Sequence, residues 1–179
     1  MKLCGYNERV EFALREFRRE DFESLWRIDQ ECFAPGVAYS RKELAAYIRL
    51  RGAFTVVAEP LGERPGNNVR GVIESRPKVL GFIVGQARRL GVGHIVTIDV
   101  PRGSRRFGIG SKLLTAAEER LRAASCHSVA LETAVDNSVA LAFYKRHDYS
   151  VVKTIPRYYS NGVNAFVLEK ELHSDSRDK

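Results

Sequence analysis

Hydrophobic and polar positions follow two different periods along this chain, and the changes from one period to the other delimit its predicted elements. Short β-branched and apolar runs predict strands, whereas apolar residues three and four positions apart predict helices. Strands are expected at residues 10–17, 53–59, 79–86, 94–100, 129–133, 149–155 and 164–171, and helices at 21–33, 40–50, 108–124 and 137–147. This order predicts an α/β fold with a mixed, mostly antiparallel sheet and helices on both faces.

Local signals refine two of these boundaries. Ser40 stands three residues before Glu43, which is the spacing of a capping box at the start of a helix. Residues 60–77 contain three prolines, three glycines and a pair of asparagines, so a long flexible connection is expected there. We expect residues 1–171 to form one domain, followed by a polar tail at 172–179.

Composition narrows the class of protein. The 179 residues are 44% hydrophobic and 28% charged, which is typical of an ordinary soluble domain. The first residues lack the apolar segment of a signal peptide and no stretch predicts a membrane span, so we expect a cytoplasmic protein without a membrane partner. Cys4, Cys32 and Cys126 are widely spaced, which favours reduced thiols and no metal site.

The net charge of +7 favours anionic partners, which include nucleic acid, an acidic surface and a phosphorylated small molecule. Nucleic-acid binding would require basic residues interleaved with exposed aromatic residues, or a recognised motif, and neither is evident. The positive charges concentrate instead near one glycine-rich turn. We therefore expect no nucleic-acid partner.

That turn joins the strand predicted at 94–100 to the helix that begins near Gly108. From residue 102 it is Arg-Gly-Ser-Arg-Arg-Phe-Gly-Ile-Gly-Ser-Lys. Free N–H groups at a helix start, glycines that permit close approach and adjacent arginines suit a pyrophosphate. A dinucleotide fingerprint would need glycine in place of Leu113, and a P-loop would need Ser111 and Lys112 in the reverse order. These residues alone leave open a solvated basic turn without a ligand.

Three separated segments share the pattern of one known family. The first is the strand at 93–100 followed by Arg105-x-x-Gly108-x-Gly110, the second is residues 131–144 with an Asn before a Phe-Tyr helix, and the third is residues 157–165 with paired tyrosines and Asn-Gly. Together they resemble the GNAT superfamily of N-acetyltransferases, and in particular its branch of ribosomal-protein alanine and N-terminal protein acetyltransferases. The resemblance extends over about residues 10–171.

The resemblance implies a GNAT fold in which strands four and five splay apart and hold acetyl-CoA, the acetyl donor. The residues that it implies as cofactor contacts are Ile98, Asp99, Val100, Arg105, Arg106, Phe107, Gly108, Ile109, Gly110, Ser111, Asn137 and Tyr144. The acceptor that it implies is the N-terminal α-amine of a protein or peptide, with a ribosomal protein as one candidate. The residues that would contact that acceptor are Tyr39, Glu132, Tyr158 and Tyr159.

Acetyl transfer to an amine requires a base for the amine, a polarised carbonyl and a proton for the departing thiolate. Glu132 is the candidate base because a carboxylate in an apolar strand is expected to have its pKa raised by burial, and the resemblance assigns a matching glutamate that role. By resemblance Tyr144 is the general acid, and Asn137 lies two helical turns before it on the same face. A histidine that titrates near neutrality can assist deprotonation, so His94, at the start of its strand, is a further candidate.

Each candidate also has a structural interpretation. Glu132 could form an ordinary ion pair, Tyr144 could be a core tyrosine, and His94 could be a satisfied group at a strand start. Tyr158 and Tyr159 could be aromatic packing alone. A catalytic pair of Cys126 and His127 is not expected, because adjacent strand residues point to opposite faces.

Departures from the family pattern leave the acceptor open. Asp148 stands where glycine is usual, Asn164 replaces an aspartate, and the connection that contains Tyr39 lacks a Pro-Trp pair. A small amine or a lysine side chain is an alternative acceptor. A non-catalytic acyl-CoA-binding module is a further alternative, which the presence of Glu132 and Tyr144 disfavours.

Overall fold

The computed structural model describes residues 10–61 and 78–172. Its strands are β1 (Phe12–Glu16), β2 (Ala53–Pro60), β3 (Gly81–Ala87), β4 (Val92–Asp99), β5 (Ser128–Ala134), β6 (Ser150–Ile155) and β7 (Ala165–Glu171), and its helices are α1 (Phe22–Cys32), α2 (Arg41–Ile48), α3 (Ile109–Ala123) and α4 (Ser138–Lys145). All predicted strands and helices are present, with ends within about two residues of the prediction. The predicted connection at 60–77 and polar tail lie almost entirely outside the described residues.

The strands form one sheet in the order β1-β2-β3-β4-β5-β7-β6. Strands β4 and β5 are parallel, and all the other neighbours are antiparallel. The expectation of a mixed, mostly antiparallel sheet is therefore confirmed. The parallel pair is possible because α3 makes the crossover that returns the chain to the same end of the sheet.

The contact between β4 and β5 is short. Only three residue pairs form: Val92 with Ser128, Gly93 with Val129, and His94 with Ala130. Both strands continue beyond these residues. Strand β4 also contains a bulge, since Val84 lies opposite Thr97 and the next residue of β3 lies opposite Ile95. Val96 is the extra residue, and a bulge turns the backbone out of the ladder. The splayed fourth and fifth strands are therefore confirmed.

Helices cover both faces of the sheet, as predicted. Helices α3 and α4 close the larger core, in which Leu113, Leu114 and Leu121 are fully buried. Helices α1 and α2 close the smaller core through Leu25 and Leu44. Burial of each such side chain contributes about 1.5–3 kcal/mol, so the two cores hold the helices to the sheet. In the described part of the chain, no helix combines the length and apolar character needed to cross a membrane.

The capping box at the start of α2 is also confirmed. The Ser40 hydroxyl accepts a hydrogen bond from the Glu43 N–H at 3.3 Å, and the Glu43 carboxylate accepts one from the Ser40 N–H at 2.8 Å. These two bonds satisfy donors that a helix start otherwise leaves free. They fix the point at which the connection from α1 enters α2.

Candidate active site

Two predicted residues meet where β4 and β5 begin to separate. Nε2 of His94 lies 2.7 Å from Oε2 of Glu132. His94 is in the last paired position of β4, and Glu132 lies two residues beyond its partner Ala130. Because Leu131 faces the core under α3 and α4, alternation along β5 turns Glu132 to the opposite face of the sheet, which α1 and α2 cover.

A third residue, Arg88, joins this pair. Its Nη2 lies 2.7 Å from Nδ1 of His94, so both ring nitrogens of the histidine have partners. Arg88 comes from the tight turn between β3 and β4. The sequence analysis missed it, because no local pattern marks one arginine of a polar turn as a neighbour of a buried histidine.

Opposing influences set the charge of Glu132. Burial favours its neutral form, but the hydrogen bond with His94 and the positive charge of Arg88 favour the anion, and the net result is a lowered pKa. The expectation that burial raises the pKa of Glu132 is therefore wrong. That expectation considered the apolar strand alone and lacked the two partners that the fold brings to the carboxylate.

Tyr144 is buried on α4 within the aromatic cluster of Phe143 and Tyr149, with ring centroids 5.2 and 5.5 Å away. Burial, followed by the negative charge of Asp99, raises its pKa, so the phenol holds its proton at neutral pH. Asn137 is the N-cap of α4, and its side-chain oxygen accepts a hydrogen bond from the Ala140 N–H at 3.1 Å. Its amide nitrogen is the part that a ligand would contact.

The glycine-rich turn leads into α3 with exposed backbone donors. Gly108 is the N-cap with φ of +82°, and nothing within 4 Å would meet a Cβ there. Among the described residues, no backbone acceptor is recorded for the N–H groups of Arg106, Phe107 and Gly108. Free N–H groups before a helix start attract an anion.

The side chains of this turn divide into outward and inward groups. Arg106 and Phe107 are exposed, whereas Ile109 is buried in the larger core. Arg105 donates from Nε to the Val100 carbonyl at 2.8 Å, which ties the turn to the end of β4. A Cβ on Gly110 would lie 3.4 Å from the Phe143 ring, so this glycine permits close packing of α3 against α4.

The remaining predicted cofactor residues differ in their burial and in their hydrogen-bond partners. Ile98 and Val100 pack at the edge of the larger core. The Asp99 side chain is fully buried and accepts a hydrogen bond from Thr97 at 2.6 Å, so only its backbone is available to a ligand. The Ser111 hydroxyl lies 3.0 Å from Nε2 of His147 and thus already has a partner.

Tyrosines from two loops surround the Glu132 side of the opening. The Tyr39 hydroxyl donates to the carbonyl of the bulged Val96 at 3.2 Å. Tyr158 and Tyr159 pack edge to face at 5.0 Å. Burial raises the pKa of both phenols, to about 12 for Tyr159, and the negative charge of Glu132 contributes to each shift. The three aromatic residues and Glu132 therefore belong to one site.

A hydrogen bond holds the two loops together. The Ser160 hydroxyl donates to the Gly36 carbonyl at 2.9 Å, which joins the loop before α2 to the loop between β6 and β7. Asn164 shapes the second loop, because its side-chain oxygen accepts a hydrogen bond from the Arg157 N–H at 2.8 Å. The amide oxygen of Asn164 thus accepts from the backbone as the carboxylate of the usual aspartate could also do.

The alternative nucleophile does not form a pair in the structure. Cys126 is buried, whereas His127 is exposed and its Nε2 lies 3.2 Å from the Leu90 carbonyl. Within residues 10–61 and 78–172, no group of three or more histidine, cysteine, aspartate and glutamate side chains is arranged to hold a metal ion.

Comparison with known proteins gives consistent matches. The model of the acetyltransferase (GNAT) family matches residues 6–149. An N-alpha-acetyltransferase of Sulfolobus acidocaldarius is 32% identical over 165 residues, which are 92% of this chain and 95% of that protein.

Solved structures agree with this family. Ard1 from Thermoplasma volcanium superposes with a TM-score of 0.77 at 28% identity, over 92% of this chain and all of that one. A chain of the NatC complex bound to Gag peptide and CoA superposes with a TM-score of 0.70 at 26% identity, with the same coverage of this chain. The chain therefore belongs to the acetyltransferase (GNAT) family: it is an N-acetyltransferase that uses acetyl-CoA as its acetyl donor.

Proposed function

We propose that this enzyme acetylates the N-terminal α-amine of a protein or peptide in a ternary complex, with Glu132 as the general base and Tyr144 as the general acid. The observation that carries this proposal is the position of the Glu132–His94 pair, at the point where β4 and β5 separate and beside the tyrosines of two joined loops. The opening between β4 and β5 thus presents Glu132 as a base to an acceptor amine on the face that α1 and α2 cover.

The donor would occupy the opening between β4 and β5. The free N–H groups before α3 would hold its pyrophosphate, and Arg106 would add positive charge. The bulge takes Val96 out of the ladder, so its backbone can donate to the thioester carbonyl and polarise it. This arrangement would place the reacting carbonyl between Glu132 and Tyr144.

In the transfer step the amine nitrogen attacks the thioester carbon, the N–C bond forms and the C–S bond breaks. Glu132 is ionised at neutral pH, because its pKa is lowered, and takes the amine proton directly or through a water molecule. The thiolate takes a proton from the Tyr144 hydroxyl, which stays protonated at that pH. No covalent enzyme intermediate is needed.

Two comparisons favour a peptide acceptor. The Sulfolobus acidocaldarius relative is named as an N-alpha-acetyltransferase, and the similar chain of NatC comes from a complex with a peptide and CoA. The phenols of Tyr39 and Tyr158 also suit an extended peptide backbone, since they offer both apolar surface and a hydrogen-bonding group. We give no preference to a ribosomal protein as the acceptor.

The test is thiol release from acetyl-CoA with a panel of peptides that differ in their first four residues, followed by mass spectrometry to locate the acetyl group. We expect acetyl on the α-amine. Each peptide has a control with a blocked N-terminus and one internal lysine, and small amines form a second control. Release with the blocked peptides, or with small amines only, would contradict the proposal.

A further inference from the structure

A basic depression adjoins the candidate active site. Its volume is about 680 Å³, and it is lined by Arg51, Gly52, Gln86, Ala87, Arg88 and Arg89. Three of these six residues carry a positive charge and none carries a negative one. Arginine side chains bind carboxylates through two parallel N–H donors, so a lining of this kind suits an acidic ligand.

The depression begins at the catalytic pair. Arg88, in its wall, contacts His94, and its charge acts on both Glu132 and Tyr158. In the sheet, Gln86 lies opposite His94 on one side and opposite Ala53 on the other. Two strand spacings, about 10 Å, therefore separate β4 from the start of β2, next to Arg51.

That distance corresponds to about three residues of an extended peptide. An acceptor whose amine reaches Glu132 would therefore lay its second to fourth residues along the depression. Arg88 already donates to His94, and within the described residues no side-chain bond is recorded for Arg51 or Arg89, so these two guanidinium groups would meet a peptide. Gln86 closes the floor, since it donates to the Arg51 carbonyl at 3.0 Å and accepts from Arg88 at 3.3 Å.

We propose that the depression is a subsite for acidic side chains at the second to fourth positions of the acceptor. This inference rests on the proposed function, because it presupposes a peptide whose amine lies at Glu132. The preference for acidic peptides would come from charge, so it should weaken as the salt concentration rises.

The experiment compares kcat/KM for peptides that are identical except for glutamate, glutamine or lysine at positions two to four. We expect the glutamate peptides to be about tenfold better than the glutamine peptides with the wild-type enzyme. The double variant Arg51→Glu, Arg89→Glu should reverse the order and favour lysine. Arg19→Glu, which changes an exposed arginine outside the depression, is the matched control and should keep the wild-type order.

Equal rates with all three peptides, or an order that the double variant leaves unchanged, would overturn the subsite. Acetylation of none of the peptides would instead contradict the proposed function itself. The two failures are therefore distinguishable in one experiment.

The hydrogen bonds of His94 carry a second, independent inference. A guanidinium can only donate, so Nδ1 of His94 must accept from Arg88. The ring proton then lies on Nε2, which donates to the Glu132 carboxylate. We infer that Arg88 is a positioning residue that fixes His94 in this tautomer, with the ring N–H directed at Glu132, and so reserves the role of base for Glu132.

Loss of Arg88 would remove the donor to Nδ1, so the ring proton could lie on either nitrogen. A ring with its proton on Nδ1 would present a lone pair to the Glu132 carboxylate, and the hydrogen bond that orients this base would be lost. Within residues 10–61 and 78–172, the charged and titratable groups around the ring are Glu132 on β5 and Arg88 from the turn, with the phenols of Tyr158 and Tyr159 beyond Glu132.

Long-range ¹H–¹⁵N spectra of the histidine rings test this inference without any assay of activity. The signals of His94 are identified by their loss in His94→Gln. In the wild type we expect the ring proton on Nε2, as the two hydrogen bonds require. In Arg88→Met under the same conditions we expect a mixture of the Nε2 and Nδ1 tautomers.

Kinetics give a parallel readout. In Arg88→Met, kcat should fall about tenfold with little change in the Kd of acetyl-CoA, because Glu132 loses the hydrogen bond that orients it. Arg88→Lys keeps a donor and a charge and should behave as the wild type. A wild-type ring with its proton on Nδ1, or the same tautomer in the wild type and Arg88→Met, would overturn the inference.

Discussion

The charge of Glu132 depends on groups that approach it from three segments of the chain. His94 comes from β4, Arg88 from the turn before that strand, and the two phenols from the loop between β6 and β7. Because the net effect lowers its pKa, Glu132 is an anion throughout the neutral range. A base that is already ionised needs no activation before the acceptor binds, so substrate protonation governs the pH dependence there.

We predict that Glu132→Gln lowers kcat by about 10²–10⁴ and changes acetyl-CoA affinity less than twofold, because the side chain lies on the acceptor side of the opening. Steady-state kinetics and calorimetric titration with acetyl-CoA measure the two quantities. Tyr144→Phe should also lower kcat while leaving the fold intact. If both variants turn over as fast as the wild type, neither residue has the proposed role.

A second prediction concerns Asp29, which is fully buried on α1. Burial raises its pKa to about 6, although its carboxylate accepts a hydrogen bond from the Tyr39 N–H at 2.9 Å. As pH rises from about 4 the unfolded chain loses this proton first, so the stability of the wild type falls until pH passes about 6. The cost at neutral pH is about 3 kcal/mol at most.

Asp29→Asn removes that cost and keeps an oxygen for Tyr39, so its stability relative to the wild type should increase between pH 4 and pH 7. Urea unfolding at several pH values measures this difference. The exposed Asp136→Asn is the control, and it should show no such trend. A gain for Asp29→Asn that is the same at every pH would show that charge is not the cause.

Sequence reasoning at the residue scale identified the side chains but not their states. The positions of His94, Glu132 and the tyrosines follow from spacing and from family resemblance. The partnership with Arg88 does not, because it depends on how one turn folds back over β4. The direction of the Glu132 pKa shift depends first on the hydrogen bond with His94 and then on the charge of Arg88, so it was missed.

At the scale of single elements, α4 ends in a C-terminal cap whose hydrogen bonds are both formed but which requires one residue with positive φ. The Tyr149 N–H donates to the Tyr144 carbonyl at 3.1 Å, and the Asp148 N–H donates to the Lys145 carbonyl at 3.3 Å. The rings of Tyr144 and Tyr149 pack against each other across this cap. This pattern is a Schellman motif, and it requires the left-handed conformation that Asp148 adopts with φ of +66°.

Glycine adopts this conformation without steric cost, which explains why glycine is the usual residue at the position of Asp148 in the family pattern. We predict that Asp148→Gly raises stability by about 1 kcal/mol, or roughly 2–4 °C in Tm. Calorimetry measures the change. Asp148→Ala removes the same charge but keeps a Cβ, so a rise of equal size in that variant would contradict the explanation.

Local signals predicted the elements well because helix caps and strand alternation are encoded in neighbouring residues. The bulge at Val96 was not predictable in this way. It arises where Gly85 of β3 passes under the ring of Phe54, so closely that a Cβ on the glycine would lie 2.4 Å from the ring. This contact joins β2 to β3 at the place where β3 pairs with the bulge of β4, and only the assembled sheet contains it.

At the scale of the whole molecule, the sheet consists of two parts. Strands β1 to β4 form one part and β5 to β7 the other, and three residue pairs join them. Acetyl-CoA bound in the opening would contact the turn before α3 on one side and α4 on the other. Binding would therefore hold the two parts together in addition to filling the site.

We predict that saturating acetyl-CoA raises stability by about 2.7 kcal/mol at 100 times its Kd. Hydrogen exchange should slow most at Val92–His94 and Ser128–Ala130, the residues of the short parallel contact. Mass spectrometry of exchanged peptides measures this, with the β1–β2 pair as the internal reference. Equal protection of both regions would indicate uniform stabilisation and would contradict the prediction.

The overall architecture could be predicted because the order of elements and the family pattern both specify it. The joining of distant loops could not, since the bond between Ser160 and Gly36 links residues that no sequence pattern relates. The basic depression has the same origin. Its arginines come from two separate turns and become neighbours only in the folded sheet.

The division of the sheet follows the order of the chain. Of the described residues, those up to α3 build one part and those from β5 onward build the other, so the described backbone crosses between them once, near the exposed Ser125. A break at that point would leave every strand with its own neighbours except along the three joining pairs. Separately expressed halves would therefore have to rebuild the larger core that α3 shares with α4, as well as the three strand pairs, and acetyl-CoA in the opening would favour their reassembly.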